Sequence, residues 1–282
     1  MNDMGNKTCI VTGANSGIGK ETALALARMG MKVVMAVRNR ERGEKAREEI
    51  ATETSSQQVT TMICDVSSMH SVKQFADEFR DRYERLDGLL NNAGVFLARR
   101  ENSVDGYEMT IATNYLGPVL LTNELLPVLK STTQSRVINV CSGLYKSGRT
   151  DLDALQTQTR YRGMKAYADS KMMLLLYTYK LARLLEGTGV TVNAVLPGFV
   201  ATNLGRGSGL ASLGFRIMRP FQISSKKAAE ALVYLATSAD LLGVTGKCFS
   251  ESRETTTTSI TYDLQAQERL WEATTRLLAI HP

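Results

Sequence analysis

The sequence predicts an α/β fold, a doubly wound parallel sheet with helices on both faces, in a single domain spanning residues 1–282. Three observations carry this. Short runs rich in β-branched residues recur along the chain, longer stretches with helical spacing separate them, and neither repeats nor a low-complexity linker interrupts the alternation. Strands joined through helices run parallel, because the return needs a crossover, and right-handed crossovers put helices on both faces.

The elements follow in order. Residues 7–12 are apolar and β-branched and form a strand that ends in a glycine turn. Residues 17–29 have helical spacing, and residues 32–37, Lys-Val-Val-Met-Ala-Val, form the second strand. A charged helix covers about 41–53, a strand 58–63 and an amphipathic helix 69–83. Residues 86–91 are the fourth strand. A long helix covers about 107–130, with Gly117-Pro118 as a kink or break, since proline offers no N–H to the helix. The fifth strand is 136–141, followed by a helix over 166–185, a sixth strand over 190–196 and a helix over 225–237. A short last strand lies in 246–249, and residues 261–280 form a C-terminal helix that packs back on the body. The connections 143–161 and 203–224 break the rhythm. Both follow the carboxyl ends of strands, where open α/β sheets bind ligands.

Composition narrows the functional classes. No run approaches the roughly 20 apolar residues of a membrane span. The first seven residues are polar, without the apolar core of a signal peptide, which points to a cytoplasmic protein. Cys9, Cys64, Cys141 and Cys248 are far apart and sit in strand-like runs, so they read as small buried hydrophobes. The two histidines, His70 and His281, have no partner at ligand spacing, and no metal site is expected. The net charge of +6 comes from scattered basic residues without a nucleic-acid motif, so it reads as a mixed, solvated surface.

The first strand runs into Thr12-Gly13-Ala14-Asn15-Ser16-Gly17-Ile18-Gly19 and then a helix. Glycines let backbone approach a diphosphate, and the helix start offers free N–H groups and a positive dipole end. This is the dinucleotide turn of a Rossmann fold, with Gly13, Asn15, Ser16, Gly17, Ile18 and Gly19 as its contacts. The second strand ends without an acid to accept a ribose hydroxyl. Arg38 stands there instead, able to pair with a 2′-phosphate, which favours NADP(H) over NAD(H). Lys20 and Arg42 are weaker helpers. Asp65 and Val66 end the third strand near the adenine, and Asn92, Ala93 and Gly94 offer small residues against the ribose. Pro197-Gly198 turns the chain over the cofactor, and Val200 and Thr202 complete its nicotinamide end.

Tyr167 and Lys171 are four apart at a helix start and therefore share a face. A phenol titrates near ~10, and a neighbouring ammonium is expected to lower that value and make Tyr167 an acid/base near neutrality. Lys171 also reaches the nicotinamide ribose. Ser142 ends the fifth strand and can donate to an oxygen gaining charge. Asn114, in the long helix, can hold a water that links Lys171 to solvent.

Together these residues resemble the short-chain dehydrogenase/reductase family. Thr12-Gly13-x-x-x-Gly17-x-Gly19, Asn91-Asn92-Ala93-Gly94, Asn114, Ser142, Tyr167-x-x-x-Lys171 and Pro197-Gly198 occur in the family's order over nearly the whole chain. The opening from Thr12 to Thr22, Arg38, the long spacing from Ser142 to Tyr167, and the tail with Gly246-Lys247-x-Phe249-Ser250 and Glu268-Arg269-Leu270-Trp271 are similar to the retinol-dehydrogenase-like branch. The resemblance implies NADP(H) and a catalytic set of Asn114, Ser142, Tyr167 and Lys171, with self-association into dimers or tetramers by analogy. Cys141 replaces a frequent serine, and no histidine follows Ser142.

The expected reaction interconverts an alcohol and an aldehyde or ketone by hydride transfer. Leu210, Leu213, Phe215, Ile217, Met218 and Phe221 suggest a lid over an apolar small-molecule substrate, or a segment touching a membrane surface. The competing readings are an NADP(H)-sensing protein of the same fold without turnover, and a nucleic-acid binder.

Overall fold

The computed structural model of the chain describes residues 4–150, 161–198 and 224–280. Eight strands form one sheet: β1 (Thr8–Thr12), β2 (Lys32–Val37), β3 (Val59–Ile63), β4 (Gly88–Asn91), β5 (Arg136–Val140), β6 (Thr191–Leu196), β7 (Cys248–Ser250) and β8 (Arg253–Glu254). Their spatial order is β3-β2-β1-β4-β5-β6-β7-β8. All pairs are parallel except the last, β7 with β8, which is antiparallel. That hairpin was not expected from the sequence. Glu251 and Ser252 both take left-handed φ at its tip, the geometry of a tight two-residue turn.

The helices are α1 (Gly17–Arg28), α2 (Arg40–Thr54), α3 (Met69–Arg82), α4 (Gly117–Ser131), α5 (Gly163–Leu184), α6 (Ser225–Thr237) and α7 (Leu264–Leu278). The two-residue period of the strands sends alternate side chains to opposite faces. Cys9, Val11 and Met35 pack with α1, α2 and α6, whereas Ile10, Val34 and Ala36 pack with α3, α4, α5 and α7. All four cysteines are buried and unbridged. Among the described residues no helix is long and apolar enough to cross a membrane.

Three local differences from the sequence reading matter. The long helix is not broken at Gly117-Pro118. A helical turn, Met109–Ile111, continues into a π turn, Ala112–Leu116, and then into α4, with helical dihedrals at the junction residues Ile111, Ala112, Leu116 and Gly117. The wider turn absorbs the proline, and Gly117 serves close packing instead, since a Cβ there would lie 1.9 Å from the Val66 carbonyl oxygen. Helix α5 starts at Gly163 rather than 166. A Cβ at Gly163 would lie 2.0 Å from the Leu97 carbonyl oxygen, so glycine lets the helix start against that loop. The C-terminal helix is shorter than 261–280, because a 3₁₀ turn, Ser259–Tyr262, precedes it and Asp263 caps it through Gln265 N and Ala266 N.

Candidate active site

The strand order reverses between β1 and β4, and the crevice beyond their carboxyl ends is the ligand position of this topology. The glycine turn lies there. Gly13 and Gly17 have φ of +66° and +57°, which side-chain-bearing residues rarely adopt. Ser16 is exposed and caps α1 by position only, with no hydrogen bond from its side chain. The first N–H groups of this 12-residue helix are therefore left to an anion or solvent.

Thr12 ties this turn to the end of β4. Its hydroxyl accepts hydrogen bonds from the backbone N–H groups of Asn92 and Ala93, both at 2.9 Å. Asn92 Nδ2 donates back to the Thr12 carbonyl at 2.8 Å. A Cβ on Gly19 would lie 2.5 Å from both Asn92 Nδ2 and the Gly13 carbonyl oxygen. Three glycines and one threonine thus make a shallow, close-packed backbone cradle. The sequence reading used Thr12 only as part of a motif and missed its role as the clasp. Only the 80-residue separation of the partners hid it, because nothing local marks a long-range bond.

Gly94 carries the cradle toward the other cluster. A Cβ there would lie 3.3 Å from Asn114 Oδ1 and 3.6 Å from Lys171 Nζ. Asn114 sits in the π turn and is fully buried. Its Oδ1 accepts from Val95 N at 2.8 Å, and its Nδ2 donates to the Val95 carbonyl at 3.0 Å and to Ser170 Oγ at 3.1 Å. A π turn of this kind often marks a functional position in a helix. Pro118 has no N–H to give the Asn114 carbonyl, the acceptor that an α-helix would assign it.

Lys171 is buried and donates to the Val140 carbonyl, at the end of β5, at 2.8 Å. Burial pulls its pKa down to about 8. Its ammonium lies 5.8 Å from the centre of the Tyr167 ring, and the ring of Phe96 meets Tyr167 edge-on at 6.0 Å. The Ser142 side chain faces the Tyr167 phenol and favours its ionised form. Ser142 also caps the 3₁₀ turn Gly143–Ser147. The expected lowering of the Tyr167 pKa does not occur in this state. Burial pushes the phenol upward and outweighs the opposing effect of Ser142. The phenol therefore holds its proton at neutral pH.

The remaining sequence-predicted residues fall as follows. Arg38 is exposed just past β2, forms no ion pair among the described residues, and precedes Asn39, which caps α2 through Arg42 N at 2.8 Å. Lys20 is held by Glu49, so it is less available as a helper. Asp65 Oδ1 accepts from Ser67 N at 3.0 Å and from Ser67 Oγ at 2.7 Å, which fixes the turn after β3, and Val66 is buried beside it. Pro197 is buried and Gly198 turns with φ of +78°. Val200, Thr202 and the apolar segment around 203–224 lie outside the described residues, apart from Ser224, which caps α6. No cluster of metal-ligating residues occurs among the described residues.

A path of contacts therefore runs from the glycine turn through Asn92, Ala93 and Gly94 to Asn114, Lys171 and Tyr167. A dinucleotide fits it on three observations of this structure: the open N-terminus of α1, a cradle that any Cβ at Gly19 would fill, and a glycine where the path passes Asn114 and Lys171.

Comparison with known proteins agrees. The profile of the short chain dehydrogenase family matches residues 7–211. Human retinol dehydrogenase 13 is 40% identical over 281 residues, covering 97% of this chain and 85% of that relative. Mouse retinol dehydrogenase 12 is 39% identical over 274 residues, covering 97% and 87%. Among solved structures, an uncharacterised protein from Mycobacterium paratuberculosis superposes with a TM-score of 0.80 at 30% identity, covering 98% of this chain and 94% of that one. A short chain dehydrogenase from Shigella flexneri 2a, solved in complex with NADP, superposes with a TM-score of 0.71 at 25% identity, covering 88% and 98%. The fold and these matches make the chain a member of the short-chain dehydrogenase family, an oxidoreductase similar to the retinol dehydrogenases.

Proposed function

We propose that the chain interconverts an alcohol and an aldehyde or ketone, using NADP(H), on an apolar substrate such as a retinoid. One observation supports the reading: Gly94, just past the end of β4 that Thr12 clasps, lies against Asn114 and Lys171, and Lys171 lies beside the Tyr167 ring. NADPH, when bound, supplies the hydride. Gly13, Asn15, Ser16, Gly17, Ile18 and Gly19 hold its diphosphate with backbone N–H groups and the α1 dipole. Arg38 pairs with the ribose phosphate, and Asp65 with Val66 bounds the adenine. Asn92, Ala93 and Gly94 would receive the ribose and Pro197 with Gly198 the nicotinamide end, to which the sequence also assigns Val200 and Thr202.

The chain's own residues handle the oxygen and the proton. Ser142 and Tyr167 hold the carbonyl oxygen by hydrogen bonds. Tyr167, which holds its proton at rest, gives that oxygen its phenolic proton as the carbon is reduced. Lys171 then steadies the phenolate through its charge, and Asn114 anchors the water path that returns a proton. Oxidation runs through the same groups in reverse. The names of the relatives and the apolar content of residues 204–223 support a lipophilic substrate. A cytoplasmic location belongs to the same proposal and is checked by cell fractionation.

The test is NADPH consumption across all-trans-retinal, medium-chain aldehydes, steroid ketones and small aromatic ketones. Turnover is expected with apolar carbonyls. Tyr167→Phe should lower kcat by about 10²- to 10⁴-fold while NADPH still binds. Wild-type rates in that variant would refute the mechanism. NADPH binding without turnover on any carbonyl would favour a sensor.

A further inference from the structure

We infer that Thr274 of α7 is a positioning residue: through Tyr115 it holds the π turn that presents Asn114 beside Lys171. The inference rests on the function proposed above, and it assigns part of the site's geometry to a helix beyond the 7–211 segment that carries the family match.

The connection is direct. Tyr115 follows Asn114 within the π turn. Its hydroxyl lies 2.6 Å from Thr274 Oγ1, across 159 residues of sequence. Thr274 has one hydroxyl proton and donates it to the Leu270 carbonyl at 2.7 Å. Tyr115 must therefore donate and Thr274 accept, so the bond has a fixed polarity. Both residues are about 1% exposed, so no water replaces a lost partner at the surface. The aromatic packing points the same way. The Tyr115 ring meets Tyr177 of α5 edge-on at 6.4 Å, and Tyr177 stacks on Trp271, one turn before Thr274, at 6.0 Å.

The π turn is thus pinned from two sides. Asn114 is bound to Val95 and to Ser170, next to Lys171 in sequence, and Tyr115 is bound to α7. A π turn is an irregular stretch of helix with a wider ring than its flanks, so it relies on such outside contacts to keep its register. Releasing the Tyr115 side lets Asn114 shift by a fraction of an ångström, and displacements near an ångström cost up to about a hundredfold in rate.

The experiment compares Thr274→Val, which keeps shape and removes the acceptor, with Thr274→Ser, which keeps it. The full chain is assayed with NADPH and the apolar aldehyde that the wild type reduces fastest. Rates are normalised to sites that bind NADPH. Thr274→Val should lower kcat about tenfold, with the KM for NADPH within about twofold of wild type, and Thr274→Ser should restore most of the rate. Amide hydrogen exchange without cofactor supplies a second readout: the amides of residues 112–116 should exchange faster in Thr274→Val and not in Thr274→Ser. Should Thr274→Val fail to fold, Tyr115→Phe removes the same bond from the other side and should reproduce both effects. Unchanged kcat and unchanged exchange in the valine variant, or equal losses in the serine variant, would overturn the inference. A wild-type chain that binds NADPH and reduces no carbonyl strikes the function reading instead, and the exchange result then stands or falls separately.

Discussion

Replacing Lys171 by methionine should make the resting protein more stable at neutral pH while abolishing turnover. Lys171 is 3% exposed, and burial lowers its pKa from 10.5 to about 8. The unfolded chain therefore binds this proton more tightly than the folded chain. At about 1.4 kcal/mol per tenfold in proton affinity, keeping the ammonium charged inside the fold costs about 3 kcal/mol below pH 8. Methionine fills similar space without charge, but it leaves the Val140 carbonyl without the donor now 2.8 Å away. That loss offsets about 1 kcal/mol, so a net gain of about 2 kcal/mol is expected at pH 7. The sign also sets the pH dependence. Wild-type stability should rise relative to the variant as pH goes from about 8 to 10.5, because the buried amine then loses its proton, and the advantage of methionine should disappear. Urea unfolding of both proteins without cofactor, at intervals from pH 7 to 10, measures this. A methionine variant less stable at pH 7, or a difference that does not change with pH, would refute the assignment of Lys171 as a buried charge retained for function at the expense of stability.

Two further substitutions test the cofactor surface. Arg38→Asp should raise the KM for NADPH far more than that for NADH, since Arg38 is exposed at the β2 tip, without an ion-pair partner among the described residues; equal effects on both cofactors would remove the NADP(H) assignment. Gly19→Ala places a Cβ 2.5 Å from Asn92 Nδ2 and from the Gly13 carbonyl oxygen, so it must open the clasp. Fluorescence titration should show NADPH affinity falling at least about tenfold with the fold retained, and unchanged affinity would show that the cradle is not the binding surface.

The buried lysine and the raised tyrosine belong together. Both side chains lie where α5 meets the end of β5, and burial acts on them in opposite senses, disfavouring charge on each. The sequence spacing put them on one helical face but pointed to a lowered phenol. Spacing along a helix conveys proximity, whereas the solvation that moves a pKa depends on everything packed around the pair, here Phe96, Cys141 and Val140 among others.

Much of this protein is set locally. Alternating apolar residues in β1 and β2, the glycines after β1, the Asn39 and Ser68 caps of α2 and α3, and the four-residue step from Tyr167 to Lys171 all act through neighbours within a few residues. Those features give the order of strands and helices and nearly all the residues of the crevice, and they are legible without coordinates because near neighbours satisfy their hydrogen bonds and share their faces. Other features exist only once distant segments meet. The π turn at Asn114, the Thr12 clasp on Asn92, the contact of Gly117 with Val66 and the Tyr115–Thr274 bond join residues up to 159 positions apart. No periodicity encodes such pairs. Each depends on how the sheet order and the helix packing bring two buried polar groups together, and a buried donor without its acceptor is too costly to leave alone. The sequence by itself thus determined the parallel strands of the sheet, the glycine turn and the candidate site residues, and the tertiary structure decided the closing hairpin and how those residues are held.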